Sequence, residues 1–276
     1  MTAPEPADDD LTRSGEADRA FLGMEVDHAG HSAFTLTGGL ARHDGRLYGG
    51  TAVAAAVAMA ELVSGRRSLW TTVQFVSGAS VIGDRIECRA EVLASGRRTS
   101  QVRMSAYLSE QLLFTAVGAT AVLKDQALRG EFEEMPTVPA PDDCAEFRFP
   151  IPDHMEDIAN RHDRPLELRI AHPGSAAGPP MFWARVRGHS ATPAIIGFVA
   201  DMVPMAVVHA AGRLGGGTSL DNTLRVGFPA ATDWVLLHLD PHLALGGYGH
   251  GTAQVWSPDG TLMATASQTA ALLVLD

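Results

Sequence analysis

The sequence predicts an α+β protein of two similar units, each with a long apolar helix wrapped by an antiparallel sheet, the two sheets joining into one. Three observations support this prediction. Residues 51–60 carry six alanines in an apolar run, alternating apolar residues follow this run, and the same order of helix and strands returns after residue 180. The 276 residues are 46% hydrophobic, which is enough to fill a core of this size.

The first unit begins with a strand predicted at 32–40 and a helix that starts after Gly49-Gly50. The helix run TAVAAAVAMAELVS is apolar on nearly every side, so we expect the helix to be enclosed by other elements. Strands follow, because apolar residues that alternate with period two are typical of a strand packed on one face. The four predicted strands are Ser68–Phe75, Arg85–Leu93, 102–108 and Leu112–Leu123.

The second unit repeats this order. A strand is predicted at Phe182–His189, and a single helix at Pro193–Gly212, where a proline at the start costs no backbone hydrogen bond. Four more strand candidates complete the unit: Ser219–Val226, Trp234–Leu239, Gly251–Trp256 and Leu262–Leu275.

The chain divides accordingly into four segments. Residues 1–18 are acidic without apolar periodicity and are predicted as a disordered tail. The first unit covers 19–123 and the second 181–276. Residues 124–180, rich in proline and acidic residues, are predicted as a linker with short strand candidates near Phe147 and Leu168.

The two units align as an internal duplication. Ser68-Leu69 and Thr72 correspond to Ser219-Leu220 and Thr223, and the final strands align so that Gly118 lies opposite Gln268. A sheet around one helix leaves an open edge that invites pairing. We therefore expect the two sheets to pair edge to edge.

Composition excludes several functions. The net charge of −11 argues against nucleic-acid binding, which needs a basic surface. The acidic start has no basic region followed by an apolar one, so no signal peptide is expected. No uninterrupted apolar window reaches about 18 residues, so no membrane span is expected. We therefore expect a cytoplasmic location. The two cysteines show no metal-ligand spacing, so we expect no metal and no cofactor.

Five short motifs occur in a fixed order along the chain: Tyr48-Gly49-Gly50, the turn Ser95–Thr99, Ala200-Asp201-Met202, Thr218–Thr223 and Ala266-Ser267-Gln268. Together they resemble the bacterial acyl-CoA thioesterase II family and its actinobacterial relatives, over roughly 20–125 and 180–275. The resemblance implies a double hotdog fold and an acyl-CoA thioesterase that hydrolyses acyl-CoA to the free acid and coenzyme A.

The resemblance also implies site residues. In that family an aspartate, a serine or threonine, and a glutamine hold the hydrolytic water, and the matching positions are Asp201, Ser219 and Gln268. The chain departs from the family at two positions, each directly after a motif residue. Asn222 stands where the family often has histidine, and Thr269 stands where it often has an acidic residue.

The residues themselves leave alternatives open. Burying the Asp201 carboxylate in its apolar run costs free energy unless the carboxylate faces a site, which favours the role of general base. The alternative is that Asp201 only complements the helix dipole. That alternative is weakened because Asp201 lies eight residues after Pro193. Taken alone, Ser219 is better explained by turn capping, and the alternative for Gln268 is an exposed polar position on its strand.

The helix entry at Gly49 and Gly50 is the candidate oxyanion site, because unpaired amides at a helix N-terminus favour negative charge. The alternative is a simple strand-to-helix turn. Since Gly118 replaces the glutamine in the first unit, one composite active site per chain is expected. Arg97 and Arg98 are candidates for contacts with coenzyme A phosphates, with a solvated surface as the alternative.

Three other functions remain open from the sequence. A hydratase or dehydratase of acyl thioesters would want a histidine base near the second helix, where His209 is the one histidine. A non-catalytic acyl-CoA-binding protein and an assembly scaffold are the others. Acyl-CoA is the expected partner, and the low charged fraction, 19%, indicates a homodimer or homotetramer.

Overall fold

The computed structural model describes residues 9–28, 30–124, 127–149, 165–174 and 179–275. Within them the chain forms the helices α1 (Asp9–Leu22), α2 (Gly49–Ser64), α3 (Pro193–Val199) and α4 (Val203–Ala210), with 3-10 turns at Gly38–Leu40 and Pro141–Asp143. Their strands are β1 (Glu25–His28), β2 (His31–Thr35), β3 (Arg67–Phe75), β4 (Arg85–Ser95), β5 (Thr99–Leu108), β6 (Gln111–Ala121), β7 (Leu166–His172), β8 (Met181–Val186), β9 (Leu214–Val226), β10 (Val235–Leu245), β11 (Tyr248–Trp256) and β12 (Leu262–Leu275).

These strands form one continuous sheet in the order β1-β2-β4-β5-β6-β3-β9-β12-β11-β10-β8-β7. The order is mirrored about its centre, where β3 and β9 pair antiparallel and each strand of one unit has a counterpart in the other. Thr72 pairs with Thr223 there, and their hydroxyl oxygens are 2.9 Å apart. A pseudo-twofold axis therefore passes between these two threonines, and the predicted duplication and joined sheet are confirmed.

Helix α2 is enclosed, as its composition predicts. Every residue from Gly49 to Glu61 is buried, and Gly65 ends the helix in the left-handed conformation with φ 62°. Helix α3 crosses α2 at two glycines: a Cβ on Gly50 would lie 2.1 Å from the Phe198 carbonyl oxygen, and one on Gly197 would lie 2.7 Å from the Val53 side chain. Only glycine permits this approach of the two helices.

The second helix is interrupted, so the prediction of one helix over Pro193–Gly212 is wrong at its centre. Helix α3 ends at Val199, residues 200–202 form a turn, and α4 begins at Val203. Pro204 explains the break, because proline lacks an N–H and its ring clashes with the carbonyl four residues earlier. Asp201 therefore lies in a gap between two helices and not inside one.

The same stretch, Pro193–Ala210, is by length and composition apolar enough to cross a membrane. However, 78% of it is buried inside the protein, which is typical of a core helix.

The predicted tail is ordered from residue 9 onward, so that prediction is wrong for 9–18; residues 1–8 lie outside the described residues. Helix α1 is held by tertiary contacts that local composition does not reveal. The buried Asp18 accepts a hydrogen bond from the Thr192 hydroxyl at 2.5 Å, and the Phe21 ring packs edge-on against Phe198 at 5.0 Å. Thr192 also caps α3, so α1 is fixed to the start of that helix.

The predicted linker, 124–180, is also too long. It contains β7, which pairs with β8 through Leu168 and Ala184 and takes the edge place that β1 has in the first unit. The second unit therefore includes residues well before 181. The preceding segment lies along the second half of the sheet, where the Trp183 indole donates to the Pro139 carbonyl at 2.8 Å.

Candidate active site

The Asp201 carboxylate meets two side-chain amides from neighbouring strands. Its Oδ1 accepts a hydrogen bond from Asn222 Nδ2 on β9 at 2.9 Å and another from Gln268 Nε2 on β12 at 2.5 Å. The Gln268 amide also donates to the Ser219 hydroxyl at 2.7 Å. The structure thus brings together the three predicted residues, Asp201, Ser219 and Gln268, with Asn222 as a fourth member.

A β-bulge in β9 makes this convergence possible. Asp221 pairs with Thr269 and Ser219 pairs with Ala270, which leaves Leu220 without a partner across the ladder. In a regular strand, residues 219 and 222 would face opposite sides. The extra residue reverses the alternation, so Ser219 and Asn222 both face the carboxylate. Asp221 holds the bulge, because its Oδ1 accepts a hydrogen bond from the Thr269 amide at 3.0 Å.

The first unit carries the same bulge without the same chemistry. Leu69 is unpaired there, since Ser68 pairs with Thr120 and Trp70 with Ala119. Gly118 lies opposite Thr71, as Gln268 lies opposite Asn222. The structure confirms the alignment of Gly118 with Gln268. Because Gly118 is a glycine, the first unit has no side-chain amide at the position equivalent to Gln268.

Burial raises the pKa of Asp201 to about 6, because taking a carboxylate out of water disfavours its charged form. The hydrogen bonds from Asn222, Gln268 and the Gly50 amide, together with the positive charge of Arg42, lower the pKa and offset part of this effect. The carboxyl is therefore mostly ionised at pH 7 but titrates close to that pH, which suits a general base.

The first turn of α2 is packed against the same carboxylate. A Cβ on Gly49 would lie 2.4 Å from Asp201 Oδ2, so glycine is required for this approach. The Gly50 amide donates to Asp201 itself, where the sequence predicted a donor to a substrate oxyanion. The N-terminus of α2 therefore stabilises the charge of this carboxylate.

Two further residues at the site escaped the sequence analysis. Tyr48 donates a hydrogen bond from its hydroxyl to the Asp201 backbone carbonyl at 3.2 Å, which supports the break between α3 and α4. Arg42 pairs with Asp44 and reaches the Gly217 carbonyl at 3.4 Å. Tyr48 could have been found, because it begins a motif that the family resemblance includes, whereas Arg42 lies in no motif.

A cavity of about 270 Å³ opens in front of the carboxylate, lined by residues of both units. Its polar side chains include Arg42, His43, Asp44, Tyr48 and Asp201, and the backbone of Gly215–Gly217 forms another part of its wall.

The arginines predicted to contact coenzyme A lie elsewhere. Arg97 and Arg98 are in the β4–β5 turn, and Arg66, just after α2, donates to the Gly96 carbonyl of that turn at 3.1 Å. A helix of 16 residues is about 24 Å long. This cluster is therefore at the opposite end of α2 from Gly49, and Arg42 is the arginine that lines the described cavity.

One group of possible metal ligands lies at the edge of the sheet, far from Asp201 in the strand order. Ligand atoms of Asp27, His28 and His31 lie within 4.8 Å of one another, and the first two residues are exposed. Nothing in the described residues connects this group with the carboxylate site, and we assign no ion to it.

A sheet of two mirrored halves around paired apolar helices, with one carboxylate site at their junction, defines a double hotdog protein. Residues 39–123 match the acyl-CoA thioesterase N-terminal domain, and residues 133–272 match the acyl-CoA thioesterase C-terminal domain. The chain belongs to the acyl-CoA thioesterase family. The second match begins inside the predicted linker, in agreement with the place of β7.

Three solved structures share this fold. A candidate thioesterase from Novosphingobium aromaticivorans is 27% identical with a TM-score of 0.80, covering 91% of this chain and 98% of its own. A hot dog fold protein from Alicyclobacillus acidocaldarius is 20% identical with a TM-score of 0.75, covering 94% and 99%. An acyl-CoA thioesterase II from Mycobacterium marinum is 17% identical with a TM-score of 0.70, covering 94% and 99%. A comparison with curated proteins gave no match.

Proposed function

We propose that this protein hydrolyses acyl-CoA thioesters to the free acid and coenzyme A, with Asp201 as the general base. The observation that carries the proposal is the environment of one carboxylate. It lies between two amide donors and a helix N-terminus, faces a cavity, and has a pKa raised to about 6. Perturbed carboxyl groups in clefts mark functional sites more often than chance.

The two carboxylate oxygens have different surroundings. Oδ1 accepts from both Asn222 and Gln268, while Oδ2 lies nearest the position that a Gly49 Cβ would occupy. Oδ1 is thereby held in a fixed orientation by two donors. The Asp201 carboxylate takes a proton from the attacking water, which Ser219 and Gln268 orient.

In the reaction, the water oxygen bonds to the thioester carbon as its proton passes to Asp201. The carbon–sulfur bond then breaks, and the proton on Asp201 passes to the departing thiolate of coenzyme A. Negative charge gathers on the carbonyl oxygen between these steps. The N-terminus of α2, at Gly49 and Gly50, stabilises that charge through the helix dipole.

A panel of acyl-CoA esters tests the proposal, with free-thiol release measured for the wild type and for Asp201→Asn. We expect wild-type release and a loss of about 10²- to 10⁴-fold in kcat for the variant, the range typical of a positioned general base. Asp240→Asn is the matched control, since it removes a carboxylate from an exposed position on β10.

The outcomes separate the remaining functions. Acyl-CoA binding without thiol release by the wild type would refute the hydrolase and support a binding protein. Water addition to an enoyl-CoA, followed by its absorbance, would instead support a hydratase. For Gln268→Ala we expect a larger fall in kcat than change in KM, because a residue that orients water matters most in the transition state.

A further inference from the structure

A second cavity, of about 180 Å³, lies beside the one at Asp201. Met205 and Gly215 line both cavities, so the wall between them includes these two residues. Met205 lies in the first turn of α4 and follows Asp201 by four residues. A chain attached to a carbon at the carboxylate therefore needs to pass only one side chain to enter the second cavity.

The two cavities differ in chemistry. The cavity at Asp201 has mostly apolar walls, but it also carries charged and hydroxyl side chains, from Arg42, Asp44 and Tyr48. The second cavity is formed mainly by aromatic and aliphatic groups, including Phe147, Ile170, Phe182, Met205 and Ala206. Its polar members, His209 and Arg213, belong to exposed residues at the end of α4 and just after it.

We propose that the second cavity is the acyl-chain subsite and that the pantetheine arm of coenzyme A occupies the cavity at Asp201, where polar side chains are available. This inference rests on the proposed hydrolase. The reverse arrangement is unfavourable, because the amides and hydroxyl of pantetheine would lose their hydrogen bonds to water among the apolar walls. An alkyl chain loses none and gains about 0.8 kcal/mol per buried methylene, or about fourfold in binding.

Size sets the preferred chain length. An engineered cavity of about 150 Å³ holds benzene, with its six carbons. The second cavity is slightly larger, at about 180 Å³, and several more carbons are needed to span the distance from Asp201 past Met205. The subsite therefore fits straight acyl chains of roughly ten carbons.

Part of this wall comes from β7 and from the residues before it. Phe147 precedes β7, and Ile170 lies within it, half-buried against the main core. Ile170 lines only the second of the two described cavities, so changing it alters the acyl subsite without touching the walls around Asp201.

Chain-length profiles test the subsite. We would measure kcat/KM for acyl-CoA esters from two to sixteen carbons with the wild type, Ile170→Phe, Ile170→Ala and the control Ala171→Val, whose side chain lies on the opposite face of β7. The wild type should gain about fourfold per methylene up to roughly ten carbons. Ile170→Phe should lower the ratio of decanoyl to butyryl activity at least tenfold, and Ile170→Ala should shift the optimum to longer chains.

A flat wild-type profile, or an equal loss at every length in Ile170→Phe, would overturn the subsite while leaving the hydrolase intact. If no ester releases thiol, the hydrolase fails, and calorimetry with butyl- and decyl-CoA thioethers still tests the subsite. Tighter binding of the decyl thioether by the wild type, reduced in Ile170→Phe, supports it; equal affinity for both thioethers refutes it. Circular dichroism detects a folding defect in Ile170→Phe, and if that variant fails to fold, the Ile170→Ala profile still tests the subsite.

Discussion

The hydrogen bond from Asn222 to Asp201 should control the pH at which the protein becomes active. Asn222→Leu replaces the buried amide with an apolar group of similar size and removes the donor to Oδ1. That bond stabilises the ionised carboxylate, so its loss favours the protonated form and raises the pKa. A hydrogen bond to a charged group contributes about 1.5 to 3 kcal/mol, and 1.36 kcal/mol corresponds to one pKa unit.

The acid limb of the rate profile should therefore move from about 6 in the wild type to roughly 7 to 8 in the variant. Only the ionised carboxylate accepts a proton from water, so the activity of the variant should fall near neutral pH and recover in alkali. For a shift of about 1.5 units, the loss is about eightfold at pH 6.5 and almost nothing at pH 9.

The assay is kcat/KM for thiol release between pH 4.5 and 9, which reports the pKa of the free enzyme's base. Thr223→Val is the matched control, because its hydroxyl contacts Thr72 at the pseudo-twofold axis. An acid limb that stays near 6, or moves to lower pH, would refute the electrostatic reasoning. A loss of equal size at every pH would show that Asn222 positions Asp201 without tuning its pKa.

Four other changes have defined outcomes. As pH rises from 4 to 7, Asp201→Asn should gain stability over the wild type by about 2.4 kcal/mol in the free energy of unfolding, because the pKa of about 6 lies above the ordinary value of 3.8 and ionisation costs the folded state. A stability difference that stays constant in urea titrations at several pH values would contradict this. Asp18→Asn should likewise gain stability over the wild type, by about 4 kcal/mol in the free energy of unfolding between pH 4 and pH 8, since burial raises the Asp18 pKa to about 7. A variant less stable than the wild type at pH 8 would count against this. Asp221→Ala should lower kcat about tenfold, because it removes the acceptor of the 3.0 Å hydrogen bond from the Thr269 amide that holds the bulge, whereas Asp221→Asn keeps an acceptor and should restore kcat. Equal kcat values for the two variants would exclude the positioning role. Gly49→Ala should abolish most thiol release, because the new Cβ would displace the Asp201 carboxylate from Asn222 and Gln268. An unchanged kcat would mean that the carboxylate does not need its observed position.

The sequence determined the local elements and their repetition, because each depends on residues close together in the chain. Period-two alternation predicted the strands, the alanine run predicted α2, and the alignment of the units placed Gly118 opposite Gln268, as the sheet register shows. Ser219 and Gln268 were weak candidates alone, since a turn serine and a strand glutamine are common. Their order relative to Asp201, within motifs that resemble a known family, selected them.

Only the tertiary structure decided how these groups meet, because a side chain's direction depends on register and on contacts with distant residues. The bulge at Leu220 turns Ser219 and Asn222 to one face, and the break before Pro204 brings Asp201 out of a helix. The Gly50 amide reaches that carboxylate across two helices packed at glycine. Helix α1 gains its order from Asp18 and Thr192, which are 174 residues apart. No local pattern encodes a contact between residues so distant in the chain, so these features follow from packing alone.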